Sequence, residues 1–424
     1  MVRVLAAGTI MAFCLCVLIV RPAGPSSWIA HAQGSSVVSQ KTPLFRPGYA
    51  GDEACLPCHK EQVISYRQTS HHLTSQLPDE TSILGSFKAG GNVLVIANPE
   101  TTDVDPRLLF EMDRKEGGYY ETAVAERGEQ KLTHSERIDL VIGSGVRGQT
   151  YLYWAGNDLS ELPVSYWSAG KQWINSPGYK DGTANFSRHA DPRCLECHTT
   201  YIRPLSSDLQ TYSYDKDSLV TGISCESCHG PGANHVTSER TAPASASRPQ
   251  QVGILNPKKF ARDRQVDQCA LCHNGTSREE LAPAFSYLPG KPLDQYLTAN
   301  SMDVSDRPDV HGNQVGLLKK SRCYLSSPSM SCGTCHDVHR PERASAAYSD
   351  RCLGCHQWKS CGLSHTKGVS IIHDCVDCHM PLQQTNAIVS VTAGRVLHAS
   401  IRSHWIKVYP VEEHGTDSQR DRPK

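Results

Sequence analysis

The sequence predicts a fold made mainly of irregular segments and short α-helices, with a small antiparallel β insertion near its N-terminal end. Three observations lead to this prediction. The pattern Cys-x-x-Cys-His occurs seven times, and a stretch of 134 residues without the pattern separates the first copy from the second. Hydrophobic residues make up 38% of the 424 residues and aromatic residues 7%. This is a small apolar content for a long chain, so something besides its own side chains must complete the core.

The seven motifs indicate what completes the core. Each motif offers two thiols that can form thioethers with the vinyl groups of one haem, and an adjacent imidazole that can bind the iron. With 18 Cys and 20 His in the chain, chance predicts only about 0.04 such motifs. We therefore predict a multihaem cytochrome c with seven covalent haem c groups. The attachment residues are Cys55, Cys58, Cys194, Cys197, Cys225, Cys228, Cys269, Cys272, Cys332, Cys335, Cys352, Cys355, Cys375 and Cys378. The proximal iron ligands are His59, His198, His229, His273, His336, His356 and His379.

Zinc ribbons and disulfides are the alternative interpretations, because both also use paired cysteines. Neither explains why a histidine follows the second cysteine in all seven motifs. Two further cysteines, Cys323 and Cys361, lie outside the motifs and the N-terminal segment. In an oxidising compartment leftover thiols tend to pair, so we predict a disulfide between these two; separate thiols are the alternative.

The N-terminal segment 1–32 has the pattern of a secretory signal peptide. Arg3 provides a positive charge, residues 4–20 are apolar, and a small-x-small cleavage pattern ends at Ala32. An uncleaved membrane anchor is the alternative, since a run of 17 is at the short limit for a spanning helix. Covalent haem attachment agrees with export. We predict a periplasmic or otherwise exported protein that contacts a membrane only peripherally or through this anchor.

The spacing of the motifs divides the rest of the chain. We predict a first haem module at 33–82, a β-rich insertion at 83–185, a six-haem module at 186–410 and a polar tail at 411–424. The insertion contains five short runs rich in β-formers, which are separated by glycine-containing turns. Its aromatic residues are interpreted either as core residues or as a cover for a haem edge. They are Trp154, Tyr166, Trp167 and Trp173.

Net charge excludes one class of partner. The chain has 43 basic and 43 acidic residues, and haem propionates would add negative charge. No basic surface for nucleic acid is therefore expected. We predict other redox proteins as partners, either cytochromes or quinol-linked complexes of the membrane.

The second axial ligand decides whether a haem only carries electrons or also binds substrate. His339 lies three residues after His336, and three residues reach at most about 11 Å. That reach is too short to place both imidazoles on opposite faces of one iron, so His339 would have to serve a neighbouring haem. Further distal candidates are His189, His311 and one of His365 and His373.

Several segments resemble the superfamily of pentahaem nitrite reductase, octahaem hydroxylamine oxidoreductase and its tetrahaem electron acceptor. These are CLPCHKEQVISYRQTSHH, CESCHGPGANH, CGTCHDVH, and CVDCHMP followed by a later His-Trp pair. The resemblance covers residues 52–82 and roughly 185–410. It implies distal ligands at His71, His235, His339 and His404.

Two features distinguish the chain from the enzymes of that superfamily. Every motif ends in His, whereas the resemblance to nitrite reductase would call for a Cys-x-x-Cys-Lys haem. No tyrosine can be assigned the cross-link of hydroxylamine oxidoreductase. Lys171, in the segment SYWSAGKQW, is interpreted as a solvated side chain, with a substrate-site residue as the alternative. We therefore predict an electron relay. The alternatives are an oxidoreductase that acts on a small nitrogen or sulfur compound at one open haem, and a binding module that presents the β insertion to a partner.

Overall fold

The computed structural model describes residues 46–96, 107–127, 129–206, 211–241, 253–275, 278–298, 313–341 and 344–410. These residues lie in one compact unit, Thr42–Lys424. The predicted signal peptide, the polar tail and the distal candidate His311 fall outside the described residues. Within the described ranges, no helix has the length and apolar character needed to cross a bilayer.

All strand pairings between the named strands are antiparallel. The strands are β1 (Ser75–Gln76), β2 (Val93–Ile96), β3 (Arg107–Lys115), β4 (Gly118–Arg127), β5 (Gln130–Arg137), β6 (Leu140–Ile142), β7 (Gly148–Ala155), β8 (Asp158–Trp167), β9 (Gln172–Asn175), β10 (Arg188–His189), β11 (Thr199–Pro204), β12 (Tyr214–Thr221), β13 (Leu382–Thr392) and β14 (Arg395–Arg402). One sheet has the order β2-β3-β4-β5, and a second has the order β1-β6-β7-β8-β10 with β9 also paired to β8. Strands β11 and β12 form one hairpin, and β13 and β14 form another.

The helices are short and most of them carry or adjoin a motif. They are α1 (Asp52–Cys55), α2 (Lys60–Tyr66), α3 (Pro192–His198), α4 (Glu226–His229), α5 (Ala233–Thr241), α6 (Arg262–His273), α7 (Gln314–Lys319), α8 (Arg322–Ser326), α9 (Ser345–Leu353), α10 (Ser364–Lys367) and α11 (Cys375–His379). Six 3₁₀ turns connect them in the described ranges, at His72–Thr74, Pro257–Lys259, Leu293–Gln295, Cys332–Thr334, Trp358–Ser360 and Gly368–His373. Helices this short are marginal alone and depend on tertiary contacts.

The prediction of a mainly helical and irregular fold is wrong. The region 83–185 does contain antiparallel strands, but it forms most of two sheets with a core of their own. Two hairpins, β11-β12 and β13-β14, lie in the part predicted to be a six-haem module of helices. The physical reason is that β11, β12 and β13 combine polar and apolar residues without clean alternation, so their strand signal is weak.

The two larger sheets enclose an apolar core. Phe110 and Met112 on β3 and Tyr151 on β7 are fully buried, together with Leu162 and Val164 on β8. Alternation along each strand directs these side chains to one face. This region, residues 93–175, is called the β-rich region below.

The hairpin β13-β14 connects the C-terminal part of the chain to the β-rich region. The amide of Asn175 donates to Thr392 Oγ1 over 2.9 Å. The amide of Gly394, at the tip of the hairpin, donates to the carboxyl group of Asp181 over 2.8 Å. These bonds fix the hairpin beside the segment that leads into β10 and α3.

A buried glutamate connects the first motif to the third. The carboxyl group of Glu226 accepts hydrogen bonds from the amides of Ala50, Gly51 and Gly232 over 2.7–2.8 Å. Ala50 and Gly51 directly precede α1, which ends in the first cysteine of the first motif. Glu226 lies inside the third motif, so one side chain holds two motifs in a fixed relation.

Candidate haem-binding site

Most of the motifs face one large cavity of about 4160 Å³. Pockets for a single small ligand usually measure about 300–1,000 Å³, so this space exceeds a single-ligand pocket several-fold. The motif residues that line it come from the first six motifs: Cys55, His59, Cys194, Cys197, His198, Cys225, Cys228, His229, Cys269, Cys272, His273, Cys332, Cys335, His336 and Cys352. The seventh motif contributes Val376 and Asp377 to the lining, and Met380 follows it directly.

The motifs form single helical turns. In the first, the amides of Cys58 and His59 both donate to the carbonyl of Cys55, over 3.2 and 2.9 Å. The same pair of bonds occurs in the motifs that begin at Cys225, Cys332 and Cys352. Residues three and four apart lie on one face of a helical turn. The spacing of the motif therefore presents two thiols and one imidazole to the same haem.

Three motif histidines face a second histidine at nearly constant separation. The ring centres of His71 and His273 are 6.0 Å apart, those of His229 and His339 are 6.1 Å apart, and those of His336 and His404 are 6.2 Å apart. In each pair the partner is one of the predicted distal candidates. These three contacts are called the histidine pairs below.

The separation fits an iron between two imidazoles. A metal–nitrogen bond to histidine measures about 2.0 Å, and the nitrogen lies about 1.1 Å from the ring centre. Two such ligands on opposite faces of one iron therefore place the ring centres roughly 6.2 Å apart. Rings stacked face to face in direct contact come closer, as the 4.4 Å stack of His189 on Tyr212 does, whereas an edge-to-face pair such as Tyr66 and His72 also has its centres 6.0 Å apart. The residues present thus fit haem iron at three positions.

Burial keeps the imidazoles of the three distal candidates neutral, which is the form in which histidine can bind a metal. Burial, and then the charge of His336, lowers the pKa of His404 to about 4. The same two causes lower the pKa of His71, while burial followed by the charge of His229 lowers that of His339. The ring of His71 is accessible to the cavity although protein surrounds it. All three rings are therefore neutral near pH 7, as a metal ligand must be.

Hydrogen bonds at Nδ1 orient several of these rings. Nδ1 of His229 donates to the carbonyl of Leu255 over 2.8 Å, and Nδ1 of His379 donates to the carbonyl of Lys407 over 2.8 Å. Such a bond fixes the tautomer and leaves Nε2 as the metal ligand. Neither acceptor could be identified from the sequence, because a carbonyl group has no sequence signature.

Two hydroxyl groups extend this positioning. Nδ1 of His198 lies 3.0 Å from Thr74 Oγ1. The buried hydroxyl of Ser321 donates to the carbonyl of His404 over 3.0 Å and accepts from the amide of Ile406 over 2.8 Å. Ser321 thereby holds the backbone on which His404 faces His336. Sequence reasoning missed both residues, since serine and threonine are common everywhere.

Thiols of different motifs lie next to each other. The thiols of Cys55 and Cys225 lie close enough to shift each other's pKa, and so do those of Cys197 and Cys272. Cys269 and Cys332 form a third such contact. The first motif therefore adjoins the third, the second adjoins the fourth, and the fourth adjoins the fifth. Haems attached at these positions would have neighbouring edges.

The remaining distal candidates are placed differently. His189 and His235 line the cavity. His365 and His373 have exposed side chains and do not line it. His398, on β14, lines the cavity although sequence analysis did not select it. The signal that was missed is its position on a strand, since the segment was expected to be irregular.

The predicted disulfide is absent, because Cys323 and Cys361 are both free thiols. Cys323 interacts electrostatically with Cys335 and Cys352. Cys361 instead interacts with the cysteines of the seventh motif. The two thiols therefore lie beside different motifs. In the described part of the chain, no three His, Cys, Asp or Glu side chains converge as a zinc ion would require.

The four aromatic residues of the insertion have different roles. Trp173 belongs to the core of the β-rich region, and its indole N–H donates to the carbonyl of Gly91 over 3.0 Å. Trp154 packs at the edge of a second apolar cluster. Tyr166 and Trp167 line the cavity, as does Lys171. The core interpretation therefore holds for Trp173 and Trp154, and Tyr166 also packs against the first core. A cover for a haem edge stays a prediction for Tyr166 and Trp167.

Comparisons with known proteins concern the class of protein and its fold. Residues 169–230 match the family model described as cytochrome c554 and c-prime. A stretch of 123 residues is 28% identical to the C-type polyheme cytochrome OmcB of two strains of Geobacter sulfurreducens, which covers 27% of this chain and 14% of each relative. The structure of the outer cell wall cytochrome OcwA is similar over 85% of this chain and 80% of that one, with a TM-score of 0.50 and 17% identity. Together with the motifs, the family match and the OmcB similarity support a multihaem c-type cytochrome, whereas the similarity to OcwA concerns the fold alone.

Proposed function

We propose that this protein is an exported relay with seven haems, which moves electrons between redox partners. All fourteen motif cysteines attach haem, and the seven motif histidines bind the irons from one face. His71, His339 and His404 bind three irons from the other face. Haem c supplies the one-electron chemistry when bound, and the chain determines its ligands, spacing and exposure.

The histidine pairs are the observation that supports the relay most directly. An iron with two protein imidazoles has no free position for a substrate, so it exchanges electrons only. The three pairs involve motifs three, four and five, which are in the middle of the chain. A relay needs irons whose two axial positions are both occupied by protein ligands, whereas an enzyme needs one iron with an open axial position.

The neighbouring thiols support the same function. Electrons pass between haems whose edges are close. The three thiol contacts join the first motif to the third, and the second motif to the fourth and fifth, and an electrostatic interaction of Cys228 with Cys269 links these two groups. Electrostatic interactions of Cys352 with Cys335 and with Cys375 extend this series to the sixth and seventh motifs. We infer that every haem has at least one close neighbour.

The partners are other redox proteins, either soluble cytochromes or quinol-linked complexes of a membrane. The name of the similar structure describes a cytochrome of the outer cell wall, which supports export of this chain as well. We propose the periplasm or another exported location for it.

Electron paramagnetic resonance of the oxidised protein tests the relay, together with the variant His404→Ala. We expect low-spin signals from the native protein and an intact mass that includes seven haems. His404→Ala should convert one haem to high spin and allow it to bind carbon monoxide. The matched control is His134→Ala, because His134 lies on the exposed strand β5 and pairs with Glu136 over 3.0 Å.

Rapid turnover of nitrite or hydroxylamine by the native protein, together with a high-spin signal before any mutation, would overturn the relay in favour of an oxidoreductase. Fewer than seven haems in fully matured protein would show that one motif is not used.

A further inference from the structure

We propose that the haem of the fourth motif, where the second, third and fifth motifs meet, is a site at which an electron resides in preference to the haems of the third and fifth motifs. This inference rests on the proposed function, because it takes the histidine pairs as iron ligands. Two kinds of observation carry it. They are the contacts of the fourth motif with its neighbours and the angle between the rings of its histidine pair.

Helix α6 carries the fourth motif and contacts the third and the fifth. Gln268 on this helix donates from Nε2 to the carbonyl of Cys228 in the third motif over 3.1 Å. The hydroxyl of Ser331, which directly precedes the fifth motif, donates to Oε1 of Gln265 on α6 over 2.8 Å. The haem attached to α6 therefore has neighbours on both of these motifs.

The second and first motifs contact the fourth from other directions. Arg193 on α3 donates to the carbonyl of Leu271, which lies inside the fourth motif. The distal candidate His71 follows the first motif and faces His273 at 6.0 Å. Electrons from several parts of the relay thus reach the fourth haem directly.

The rings of the histidine pair at the fourth motif are crossed, whereas those of the other two pairs are nearly parallel. The planes of His71 and His273 meet at 86°. In the other histidine pairs the angle is 30° at the third motif and 22° at the fifth. Because the plane of a bound imidazole contains its iron–nitrogen bond, the angle between the rings is also the angle between the two ligand planes.

This angle affects the potential through the iron orbitals that interact with the imidazole rings. Parallel planes separate two of these orbitals in energy, and the single vacancy of low-spin ferric iron is stabilised by that separation. Crossed planes leave the two orbitals nearly equal, so the ferric form loses this stabilisation. Ferrous iron has both orbitals filled and gains nothing from either arrangement. Crossed rings therefore favour the reduced form of the fourth haem, because axial ligands are a main control on haem potential.

Neighbouring charges do not reverse this order, because side chains of opposite sign occur together beside each of the three haems. They are Arg193 with Glu196 at the fourth motif, Arg402 with Asp377 at the fifth, and Lys258 with Asp337 at the third. Opposite charges at similar distances largely cancel in their effect on an iron. The angle between the ligand planes then remains as the main difference.

Contacts with a neighbouring segment fix the position of His71. The hydroxyl of Tyr66 donates to the carbonyl of Ile223 over 2.7 Å, and the amide of Ile223 donates to the carbonyl of His71 over 2.9 Å. The adjacent Gly222 has a φ of +66°, and a Cβ there would lie 2.0 Å from the carbonyl oxygen of His72. Only glycine permits this close approach. Tyr66 is therefore a positioning residue for the distal ring.

Paramagnetic resonance of the oxidised protein distinguishes crossed from parallel rings. Crossed rings give one broad low-field line, whereas parallel rings give a rhombic spectrum with three resolved g-values. We expect His71→Ala to remove one low-field line and to produce one high-spin haem. The matched control is His72→Ala, because His72 is adjacent but packs edge-on against Tyr66. It should leave every haem low-spin.

Reductive titration followed by the same spectra measures where the electron resides. The low-field line that His71→Ala removes should disappear at a higher potential than the two rhombic signals that His339→Ala and His404→Ala remove. Haem content equal to that of the native protein shows that each variant has matured. If His71→Ala does not mature, His71→Met serves instead, since methionine can bind haem iron. This variant should abolish the low-field line without producing a high-spin haem.

Tyr66→Phe tests the positioning of the ring. Loss of the bond to Ile223 allows His71 to turn, so the low-field line should move towards the rhombic signals while the haem stays low-spin. The control is Tyr179→Phe, because the hydroxyl of this buried tyrosine also donates to a backbone carbonyl, that of Glu161, over 2.8 Å. It should leave the line in place.

The proposal is overturned if His71→Ala removes a rhombic signal or leaves every haem low-spin. It is also overturned if the low-field line does not disappear before both rhombic signals, or if Tyr66→Phe has no more effect on the line than Tyr179→Phe. The relay itself fails by a different result, which is rapid turnover of substrate at a high-spin haem of the native protein.

Discussion

The β-rich region and the region that carries the last six motifs are stabilised in different ways. In the β-rich region, Phe110, Met112, Tyr151, Leu162 and Val164 form a closed apolar core. In the motif region, residues 194–379, most cysteines and histidines of the second to fifth motifs face a cavity of about 4160 Å³. Helix α5 of this region has no buried residue, and neither does α1 of the first motif. Side-chain packing therefore specifies one region, while covalent and axial bonds to haem must specify the other.

Two buried glutamates show the same difference. Glu226, in the motif region, accepts three backbone hydrogen bonds. Glu121, on β4, accepts one from the amide of Val164 over 2.8 Å, and its Oε2 has no partner. In the motif region, the three hydrogen bonds of Glu226, called the Glu226 clamp below, take the place of apolar contacts. The sheets instead tolerate a neutral carboxyl group inside an apolar core.

Withholding haem should produce the largest effect, and it tests the comparison between the two regions most directly. We expect a chain produced without haem attachment to keep hydrogen–deuterium exchange protection in β3, β4, β7 and β8, because their core consists of side chains. Amides of residues 332–379 should exchange as in an unfolded chain, since the groups that would pack there are absent. Equal protection of both regions in the haem-free chain would contradict this account.

Removing the Glu226 clamp should have the next largest effect. Glu226→Ala leaves three amide donors, two of them buried, without an acceptor, at a cost of about 1–3 kcal/mol for each buried donor before water compensates. We expect the free energy of unfolding to fall by about 3 kcal/mol. Denaturant titration of the holoprotein measures the change. Glu239→Ala is the control, because Glu239 is exposed on α5 and its loss should be nearly neutral. A loss no greater than that of the control would mean that the clamp does not stabilise the motif region.

Neutralising Glu121 should have the smallest effect, and it depends on pH. Burial raises the pKa of Glu121 well above its ordinary value of 4.5, and the charge of Glu161 raises it further. The folded state therefore holds the proton. This contribution is fully present below pH 4.5 and is lost as the pH rises toward the folded pKa. Glu121→Gln is always neutral, so its unfolding midpoint should exceed that of the native protein increasingly above pH 5. Glu129→Gln, at an exposed position, should follow the native curve, and a Glu121→Gln curve that does the same would refute the prediction.

The sequence was informative where chemistry requires a local pattern. A turn with two thiols and an imidazole requires residues at i, i+3 and i+4, and the motifs at Cys55 and Cys225 form such turns. Runs of β-formers likewise predicted strands such as β4 and β7. The hairpin β13-β14 was missed because its residues do not alternate clearly, and His398 was missed with it. The disulfide between Cys323 and Cys361 was predicted from pairing preference alone, which contains no information on distance.

The sequence by itself determined the class of cofactor, the number of attachment motifs and a list of candidate distal histidines. These follow from short-range spacing, because one helical turn is enough to build a haem attachment site. Only the tertiary structure decided that His273 faces His71, that His229 faces His339 and that His336 faces His404. These partners are far apart in the chain and meet through the clamp of Glu226, the hydroxyl of Ser321 and the packing of sheets and hairpins. Backbone carbonyls, buried hydroxyls and strand registers have no residue-type signature, so ligand pairing is a property of the fold.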